Sequence, residues 1–345
     1  MNDCDYDYDY DEWELRKMIL GGSISQYITV VSELSIPDYI DKDINNINDL
    51  SNILNINQEK LLRLLRIGVS LKIFHEMRNS IFVLTNLGKL LRKNSVGSLR
   101  EYSILKGQDW ARKTLTGFNE SLKLNKSAFE TMHEENLFNY LENNDTSDLY
   151  HSSLKNISFY HDESIISSYD FSGFKSIADI GAGAGSLLAK ILKENPKIQG
   201  VHFDQSSASK MAKKSSEFLG INNRVSFKSG DFFDEIPIVV DTYILKTILH
   251  DWNDEKAVKI LSNLRKFIPE NGKLLIIEII MDEDEINGSI MDLEMLMFYG
   301  GKERTKGDYS RLLSAAGFSI TNFYPTKSDV SIIEAIPFQD KNEEG

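Results

Sequence analysis

The pattern of apolar and polar residues changes near Phe174. Beyond it, short apolar runs that fit β-strands alternate with segments whose apolar residues recur with helical spacing. The expected strands are 176–180, 199–204, 224–229, 242–246, 273–280, 319–324 and 330–336, and the expected helices are 186–194, 209–218, 254–268 and 304–318. Because strands and helices alternate, we predict an α/β fold with a doubly wound, mostly parallel sheet over residues 169–337.

The preceding part of the chain has a mainly helical pattern. In chain order we expect a helix at 13–35, two short helices within 47–74, a strand at 81–85 and a helix at 86–93. Two helices followed by a short strand pair predict a winged-helix domain over residues 13–105. Residues 106–168 have helical spacing and little strand pattern, so we predict a helical linker there.

The two ends of the chain are not expected to pack. Residues 1–12 alternate Asp with Cys or Tyr. Such a strand would line one face with like charges, so we predict a disordered acidic tail. Residues 338–345 are predicted to form a second loose tail.

Composition narrows the class of protein. With 39 Lys and Arg against 52 Asp and Glu, the formal net charge is −13, which argues against a nucleic-acid partner. Residues 60–113 nevertheless hold twelve bases and three acids, so a DNA-binding winged-helix regulator stays as an alternative. The single cysteine, Cys4, excludes an internal disulfide. No signal-peptide pattern or membrane-length apolar run is present, so we expect a cytoplasmic protein with no membrane partner.

A glycine-rich turn follows the first strand of the α/β region. ADIGAGAG (178–185) has the spacing G-x-G-x-G, which is shorter than the dinucleotide fingerprint and suits a ligand without a pyrophosphate. Asp204 ends the next strand, where a carboxylate can accept hydrogen bonds from both ribose hydroxyls. In SGDFFDE (229–235), Asp231 is a candidate acceptor for an exocyclic amine and Phe232 a candidate to stack on a purine. The simpler alternative is a pair of turns without a ligand.

The segment LKTILHDWNDE (245–255) places an imidazole at the end of a buried strand. His250 there is a candidate general base, and the alternative is a structural histidine. We expect Asp251 to cap the helix that follows, because Asp is a preferred N-cap residue.

Six segments in order, ADIGAGAG, HFDQ, SGDFF, LKTILHDW, LLIIEIIM and GGKERT, resemble the plant-type (class II) small-molecule O-methyltransferases. This family uses S-adenosylmethionine and has many bacterial members. IFVLTNLGKLLRKNSVGSLR (81–100) resembles the wing and following helix of the family's N-terminal dimerisation domain. The likeness extends from about residue 15 to 337. It implies a Rossmann-like methyltransferase domain, a winged-helix domain that forms a homodimer, and no metal.

The resemblance also implies roles for individual residues. Those implied to bind the cofactor are Asp179, Gly181, Gly183, Asp204, Asp231, Phe232 and Lys246. His250 matches the general base, and Glu278 and Glu303 match two acids beside it. The acceptor pocket is expected to involve Met291 and Met295, with Phe129 and Met132 from the helical linker. The segment from Glu278 to Gly300 is shorter than in plant members, so their substrates do not carry over.

The energetics of proton transfer limit which acceptor hydroxyls His250 can deprotonate. A phenol has a pKa near 10 and an imidazole near 6.5, so full transfer in water is uphill by about 5 kcal/mol. Two carboxylates beside the ring favour imidazolium and narrow this difference. We therefore expect a small aromatic acceptor with a phenolic or enolic hydroxyl. The alternatives are a family member that catalyses a pericyclic, decarboxylative or hydroxylating reaction, and a scaffold with an inactive site.

Overall fold

The structure is a computed structural model that describes residues 8–144, 146–218, 220–281 and 288–338. It divides into two compact units. The first extends to Arg112 and includes Ser152–Ile157, and the second comprises Lys113–His151 and the chain from Ser158 onward. The segment predicted as a linker, 106–168, is thus shared between both units. Of the predicted tails, residues 1–7 and 339–345 lie outside the described part, and the first helix already begins at Tyr8.

The first unit consists of helices and one β-hairpin. Its elements are α1 (Tyr8–Ile19), α2 (Gly21–Glu33), α3 (Ile36–Asp41), α4 (Ile47–Leu54), α5 (Gln58–Ser70), β1 (Phe74–Met77), β2 (Ile81–Leu84), α6 (Asn86–Lys89) and α7 (Arg100–Gly107). The helix expected at 13–35 is therefore two helices. The two expected within 47–74 are confirmed, and Asn46 and Asn57 cap them by accepting from backbone N–H groups.

The hairpin explains one of two differences from the predicted elements. β1 pairs antiparallel with β2, with Phe74 opposite Leu84. Phe74 belongs to this strand and not to the preceding helix, because Lys72 adopts a left-handed φ of 60° after α5 has ended. The helix expected at 86–93 ends at Lys89.

The second unit begins with helices and continues as an α/β domain. Its helices are α8 (Asp109–Thr116), α9 (Phe118–Ser121), α10 (Ala128–His133), α11 (Leu137–Asn143), α12 (Ser147–Ser168), α13 (Ser186–Glu194), α14 (Ser206–Phe218), α15 (Asp254–Arg265), α16 (Ser289–Glu294) and α17 (Lys306–Ala315). Its strands are β3 (Ser176–Ile180), β4 (Gln199–Asp204), β5 (Val225–Ser229), β6 (Thr242–Lys246), β7 (Lys273–Met281), β8 (Arg304–Thr305), β9 (Phe318–Pro325) and β10 (Val330–Pro337). α8 and α12 contribute residues to both units.

The strands form one sheet in the order β5-β4-β3-β6-β7-β10-β9, with the short β8 beside β7. β3 to β8 pair in parallel, whereas β10 runs antiparallel to β7 and β9. The predicted doubly wound, mostly parallel sheet is confirmed. The strand order reverses between β3 and β6, and open α/β sheets bind ligands outside the carboxyl ends of the strands at such a point.

Both faces of this sheet are buried. Along β6, Tyr243 and Leu245 belong to the core on one face, and Ile244 belongs to the core on the other. This alternation follows from the two-residue period of a strand, and burial on both faces explains the continuous apolar runs of β6 and β7. None of the described helices has the combined length and apolar character that crossing a bilayer requires.

Candidate active site

The glycine turn between β3 and α13 needs glycine for its shape and for close packing. Gly181 has a φ of +71°, and a Cβ on it would lie 2.3 Å from the Ile248 Cδ1 atom. Gly183 also has a positive φ, but a Cβ there would meet nothing within 4 Å. The turn therefore packs on the His250 segment at one end and borders open space at the next glycine.

Two residues of β4 hold this turn. Asp204 accepts hydrogen bonds from the Gly183 N–H and the Gln205 N–H, both at 2.6 Å. The buried His202 ring donates from Nε2 to the Gly183 carbonyl at 2.9 Å. Because a carboxylate offers about four acceptor positions, Asp204 keeps capacity for a ligand while it fixes the turn. Asp204 lies where the sequence predicted it.

An aromatic cluster stands beside the turn that follows β5. Phe232 is half-buried and makes edge contacts with Phe233 and Trp252, at ring distances of 5.1 Å and 6.1 Å. Trp252 also stacks on Phe138, and its indole N–H is buried without a hydrogen-bond partner among the described residues. Asp231 is exposed and accepts from the Phe233 N–H. Trp252 and Phe138 are additions to the predicted site.

Lys246 ends β6 and forms an ion pair that the sequence did not indicate. Its Nζ atom lies 2.6 Å from Asp162, a completely buried residue of α12. Asp179 is buried on neighbouring β3. Burial raises the pKa of Asp179 to about 7; Lys246 opposes this shift, and Asp162 and Asp204 add to it. The sequence does not indicate Asp162, because it lies inside a long helical pattern with no motif around it.

His250 lies in a short 3-10 turn, Leu249–Asp251, between two buried glutamates. Its Nδ1 atom is 2.8 Å from a Glu303 carboxylate oxygen and 3.5 Å from Glu278. The other Glu278 oxygen accepts from the Ile248 and Leu249 N–H groups. The structure thus brings together all three residues predicted to be catalytic. Nδ1 is engaged by these two acids, and the other ring nitrogen, Nε2, lies 3.5 Å from an Asp251 carboxylate oxygen.

The acids change the proton affinity of the imidazole. Burial lowers the pKa of His250, but Glu278, Asp251 and the hydrogen-bonded Glu303 together outweigh this and raise it to about 10. Burial also raises the pKa of Glu278 and brings that of Asp251 to about 7. The cluster therefore retains a proton on the ring at neutral pH.

Asp251 does not cap α15, so that prediction is wrong. The N-cap is Asn253, whose side chain accepts from the Lys256 N–H. Asp251 instead lies buried with a carboxylate oxygen 3.5 Å from His250 Nε2. Its position in the turn directs the side chain toward the imidazole and not toward the helix end.

Two residues of the GGKERT segment hold the His250 turn in place. A Cβ on Gly301 would lie 1.9 Å from the His250 carbonyl oxygen, so only glycine allows this approach. Arg304 is fully buried and donates to the carbonyls of Leu249 and Trp252, at 2.8 Å and 2.7 Å. It also pairs with Asp254. From this segment the sequence indicated only Glu303.

The residues predicted for the acceptor pocket lie on adjoining elements. α10, with Phe129 and Met132, neighbours a π-helix, Met295–Tyr299, which in turn neighbours the His250 turn. Met295 is buried, whereas Met132 and Met291 are half-buried. Phe129 is fully buried and stacks on His133 at 4.3 Å. π-helices are rare and are frequent at functional sites.

Two tyrosines, which the sequence did not indicate, adjoin this region. The Tyr150 and Tyr299 hydroxyls lie 3.2 Å apart. Burial raises the pKa of Tyr150, and the Asp251 carboxylate adds to this shift. Tyr150 therefore stays neutral and contributes a hydroxyl close to the acidic cluster.

His250, Glu278 and Glu303 offer ligand atoms that all lie within 4.8 Å of one another, a spacing that also suits a metal ion. In this structure the hydrogen bond between Nδ1 and Glu303 accounts for the arrangement without an ion. An imidazole proton shared with two carboxylates satisfies the same charges that a cation would.

Comparison with known proteins relates most of the chain to one family. A family model described as an O-methyltransferase domain matches residues 116–319. Phenazine O-methyltransferase PhzM of Lysobacter antibioticus is 34% identical, with 94% of this chain and 95% of the relative covered. O-demethylpuromycin-O-methyltransferase of Streptomyces alboniger is 30% identical, with coverage of 93% and 88%.

Solved structures agree with this relationship. The crystal structure of LaPhzM superposes with a TM-score of 0.89 at 34% identity, with 95% of this chain and 99% of that chain covered. CalO1, a methyltransferase in calicheamicin biosynthesis solved in its SAH-bound form, has a TM-score of 0.83 at 25% identity, with coverage of 97% and 100%.

The residues at the sheet edge fit S-adenosylmethionine. A carboxylate at the end of β4 suits the ribose hydroxyls, an aromatic ring after β5 suits the adenine, and an ammonium at the end of β6 suits the amino-acid carboxylate. The open space at Gly183 lets a ligand approach the backbone. Methyltransferases of this family need no metal. The chain belongs to the O-methyltransferase domain family and is a class II-like, S-adenosylmethionine-dependent O-methyltransferase.

Proposed function

We propose that His250 is the general base for methylation of a phenolic or enolic hydroxyl on a small aromatic acceptor. The observation that carries this proposal is the hydrogen bond of 2.8 Å between His250 Nδ1 and Glu303, with Glu278 on the same side. This contact fixes the ring, so the acceptor proton would pass to Nε2, which lies 3.5 Å from Asp251. General-base assistance of this kind contributes roughly 10²–10⁴-fold to a rate.

The proposed roles of the remaining site residues follow from their places. Gly181, Gly183 and the buried Asp179 border the amino-acid part of the cofactor, and Asp204 binds the ribose. Asp231 and Phe232 bind the adenine, and Lys246 binds the amino-acid carboxylate. When bound, S-adenosylmethionine supplies a methyl group on a positively charged sulfur. The chain holds an acceptor oxygen in line with it, and such orientation can lower a barrier by roughly 7–11 kcal/mol.

The raised pKa of His250 supports an acidic acceptor. At about 10, it matches the pKa near 10 of a phenol, so proton transfer between the two is close to balanced. An aliphatic alcohol is a far weaker acid and would leave the transfer strongly uphill. We propose Phe129, Met132, Met291 and Met295 as pocket walls, because flexible thioethers adapt to a flat ligand and an aromatic ring can pack on it.

The names of two relatives support the same acceptor class, since one methylates a phenazine and the other O-demethylpuromycin. The test is incubation with methyl-labelled cofactor and a panel of hydroxyphenazines, hydroxyquinones and simple phenols. Label in an O-methylated product supports the proposal. An altered product without label would instead identify a pericyclic, decarboxylative or hydroxylating enzyme.

The rate should depend on pH through the acidic cluster. Because His250 must lose its proton to accept one from a neutral phenol, kcat/KM should rise with pH through the neutral range, toward the pKa of about 10. Glu278→Gln removes one of the charges that raise this pKa, so the rise should move to lower pH. Glu255→Gln, the same change at an exposed neighbouring position, should leave the profile in place. An identical profile for the Glu278 variant would show that the imidazole does not set the pH dependence.

We also propose that the first unit is a winged-helix domain that forms a homodimer. Two helices followed by the β1–β2 hairpin support the fold, and the exposed apolar residues of α1 support the association. Trp13, Met18 and Ile19 are 54%, 73% and 75% exposed and point to different sides of the helix. Several large apolar residues exposed along one helix suit a helix that packs against a second chain.

Sedimentation velocity tests the dimer. The protein should sediment as a species of twice the chain mass of 39.3 kDa. Ile19→Asp should shift the equilibrium from dimer toward monomer. Val239→Asp, at a residue of the second unit that is 71% exposed, is the matched control and should remain dimeric. A monomer at micromolar concentration would refute the proposal.

A further inference from the structure

Asp162 joins two elements at the cofactor edge of the sheet. One carboxylate oxygen accepts from Lys246 Nζ at 2.6 Å, and the other accepts from Ser186 Oγ at 2.6 Å. Lys246 ends β6, and Ser186 is the first residue of α13, directly after the glycine turn. Asp162 itself comes from α12 and is completely buried.

Burying a carboxylate costs several kcal/mol unless its partners compensate for the lost water. The next residue of α12 shows what an ordinary helix acid does here, since the Glu163 side chain is 59% exposed and pairs with Lys190. The Asp162 carboxylate is instead buried in the interior. A buried acid whose two oxygens hold the end of β6 and the first residue after the glycine turn points to a positioning role.

Lys246 keeps hydrogen-bonding capacity beyond its contact with Asp162. An ammonium has three donors, and among the described residues one of them goes to Asp162. The Lys246 side chain is 13% exposed, so the other donors keep access to a ligand. The Asp162 carboxylate limits Lys246 to this orientation, because breaking their contact would leave a buried charge without a partner.

The charges of this region match a zwitterion. Asp162 lies 2.6 Å from Lys246, and both residues, together with Asp204, act electrostatically on the buried Asp179, so three carboxylates and the Lys246 ammonium share this region. An excess of carboxylates favours a ligand ammonium, and Lys246 favours a ligand carboxylate. An α-amino acid carries both groups on one carbon.

We propose that Asp162 is a positioning residue that fixes Lys246 and Ser186 so that this edge binds the zwitterionic amino-acid end of the cofactor. The inference rests on the proposed contact between Lys246 and the cofactor. It concerns binding and not the identity of the acceptor. An enzyme that failed to methylate any phenol could therefore still satisfy it.

Calorimetric titration of the full chain with two nucleosides tests the proposal. S-adenosylhomocysteine carries the amino-acid end, whereas methylthioadenosine lacks it. Asp162→Asn should lower the affinity for S-adenosylhomocysteine at least about tenfold, while the affinity for methylthioadenosine stays within about twofold. Glu163→Gln, the same kind of change on the exposed side of the helix, should alter neither affinity.

Two further variants separate positioning from general damage. In Lys246→Met, adding Asp162→Asn should cause little further loss, since the first change removes the group that Asp162 orients. Ser186→Ala keeps the buried charge paired and should produce a smaller loss that is again confined to S-adenosylhomocysteine. If Asp162→Asn does not fold, Ser186→Ala carries the test. The proposal would be overturned if Asp162→Asn lowered the affinities for both nucleosides equally or left both unchanged. Fully additive losses of affinity in the double variant would also overturn it.

Discussion

Replacing His250 by alanine is expected to lower kcat for methyl transfer about 10²–10⁴-fold, which is the usual contribution of a general base. The loss should be largest for weakly acidic phenols, since these depend most on proton removal. An acceptor that binds already ionised needs no base, so its rate should fall much less. This dependence on acceptor pKa distinguishes a lost base from a damaged pocket.

The affinity for S-adenosylhomocysteine should stay within about twofold in this variant, because the residues proposed to bind the cofactor lie on other elements. Titration calorimetry checks this, and a thermal melt checks folding. His75→Ala, at an exposed position of β1, is the matched control and should keep full activity. A His250→Ala enzyme with unchanged turnover on its best acceptor would remove the imidazole from the mechanism.

The α/β domain was predictable because its local patterns agree with its tertiary structure. β3, β4 and β6 match their predicted bounds, and β3 and β6 are short runs rich in apolar residues that are buried on both faces. The first unit was less predictable. One apolar stripe from Trp13 onward did not reveal the break between α1 and α2, and the left-handed Lys72 is not one of the residue types that favour that conformation.

The site was predictable where a motif carried the chemistry and not where packing did. His250, Glu278 and Glu303 were identified through the family resemblance, and they converge within hydrogen-bonding and ionic distance. Asp162 is one acid in a helix, and no local pattern indicates that it is buried. Gly301 was present in a recognised segment, but its contact with the His250 carbonyl depends on how two distant loops approach each other.

Arg304 shows how strongly the catalytic turn depends on such packing. Its guanidinium donates to two carbonyls of the turn and to Asp254, and no part of the residue is exposed. Arg304→Met would keep the apolar stem but leave the Leu249 and Trp252 carbonyls without this donor. Each buried group left unpaired costs about 1–3 kcal/mol, so we expect the free energy of unfolding to fall by about 2–5 kcal/mol.

Activity should fall in addition to stability. At a temperature where the variant is folded, kcat should drop at least about tenfold, because small misplacements of a catalytic group are costly. Arg304→Lys should lose nearly as much stability and activity as Arg304→Met, since one ammonium cannot reproduce the planar guanidinium that reaches two carbonyls and a carboxylate. Such a loss in the lysine variant would show that the geometry of the guanidinium, and not its charge alone, holds the turn.

Urea unfolding monitored by circular dichroism measures the stability change, and initial rates with labelled cofactor measure the catalytic one. Arg311→Met makes the same substitution on a side chain that is 75% exposed, and should change stability by no more than about 0.5 kcal/mol. If Arg304→Met were as stable and as active as this control, the turn would be held by the backbone alone. If it lost stability but kept its kcat, Arg304 would support the fold without positioning His250.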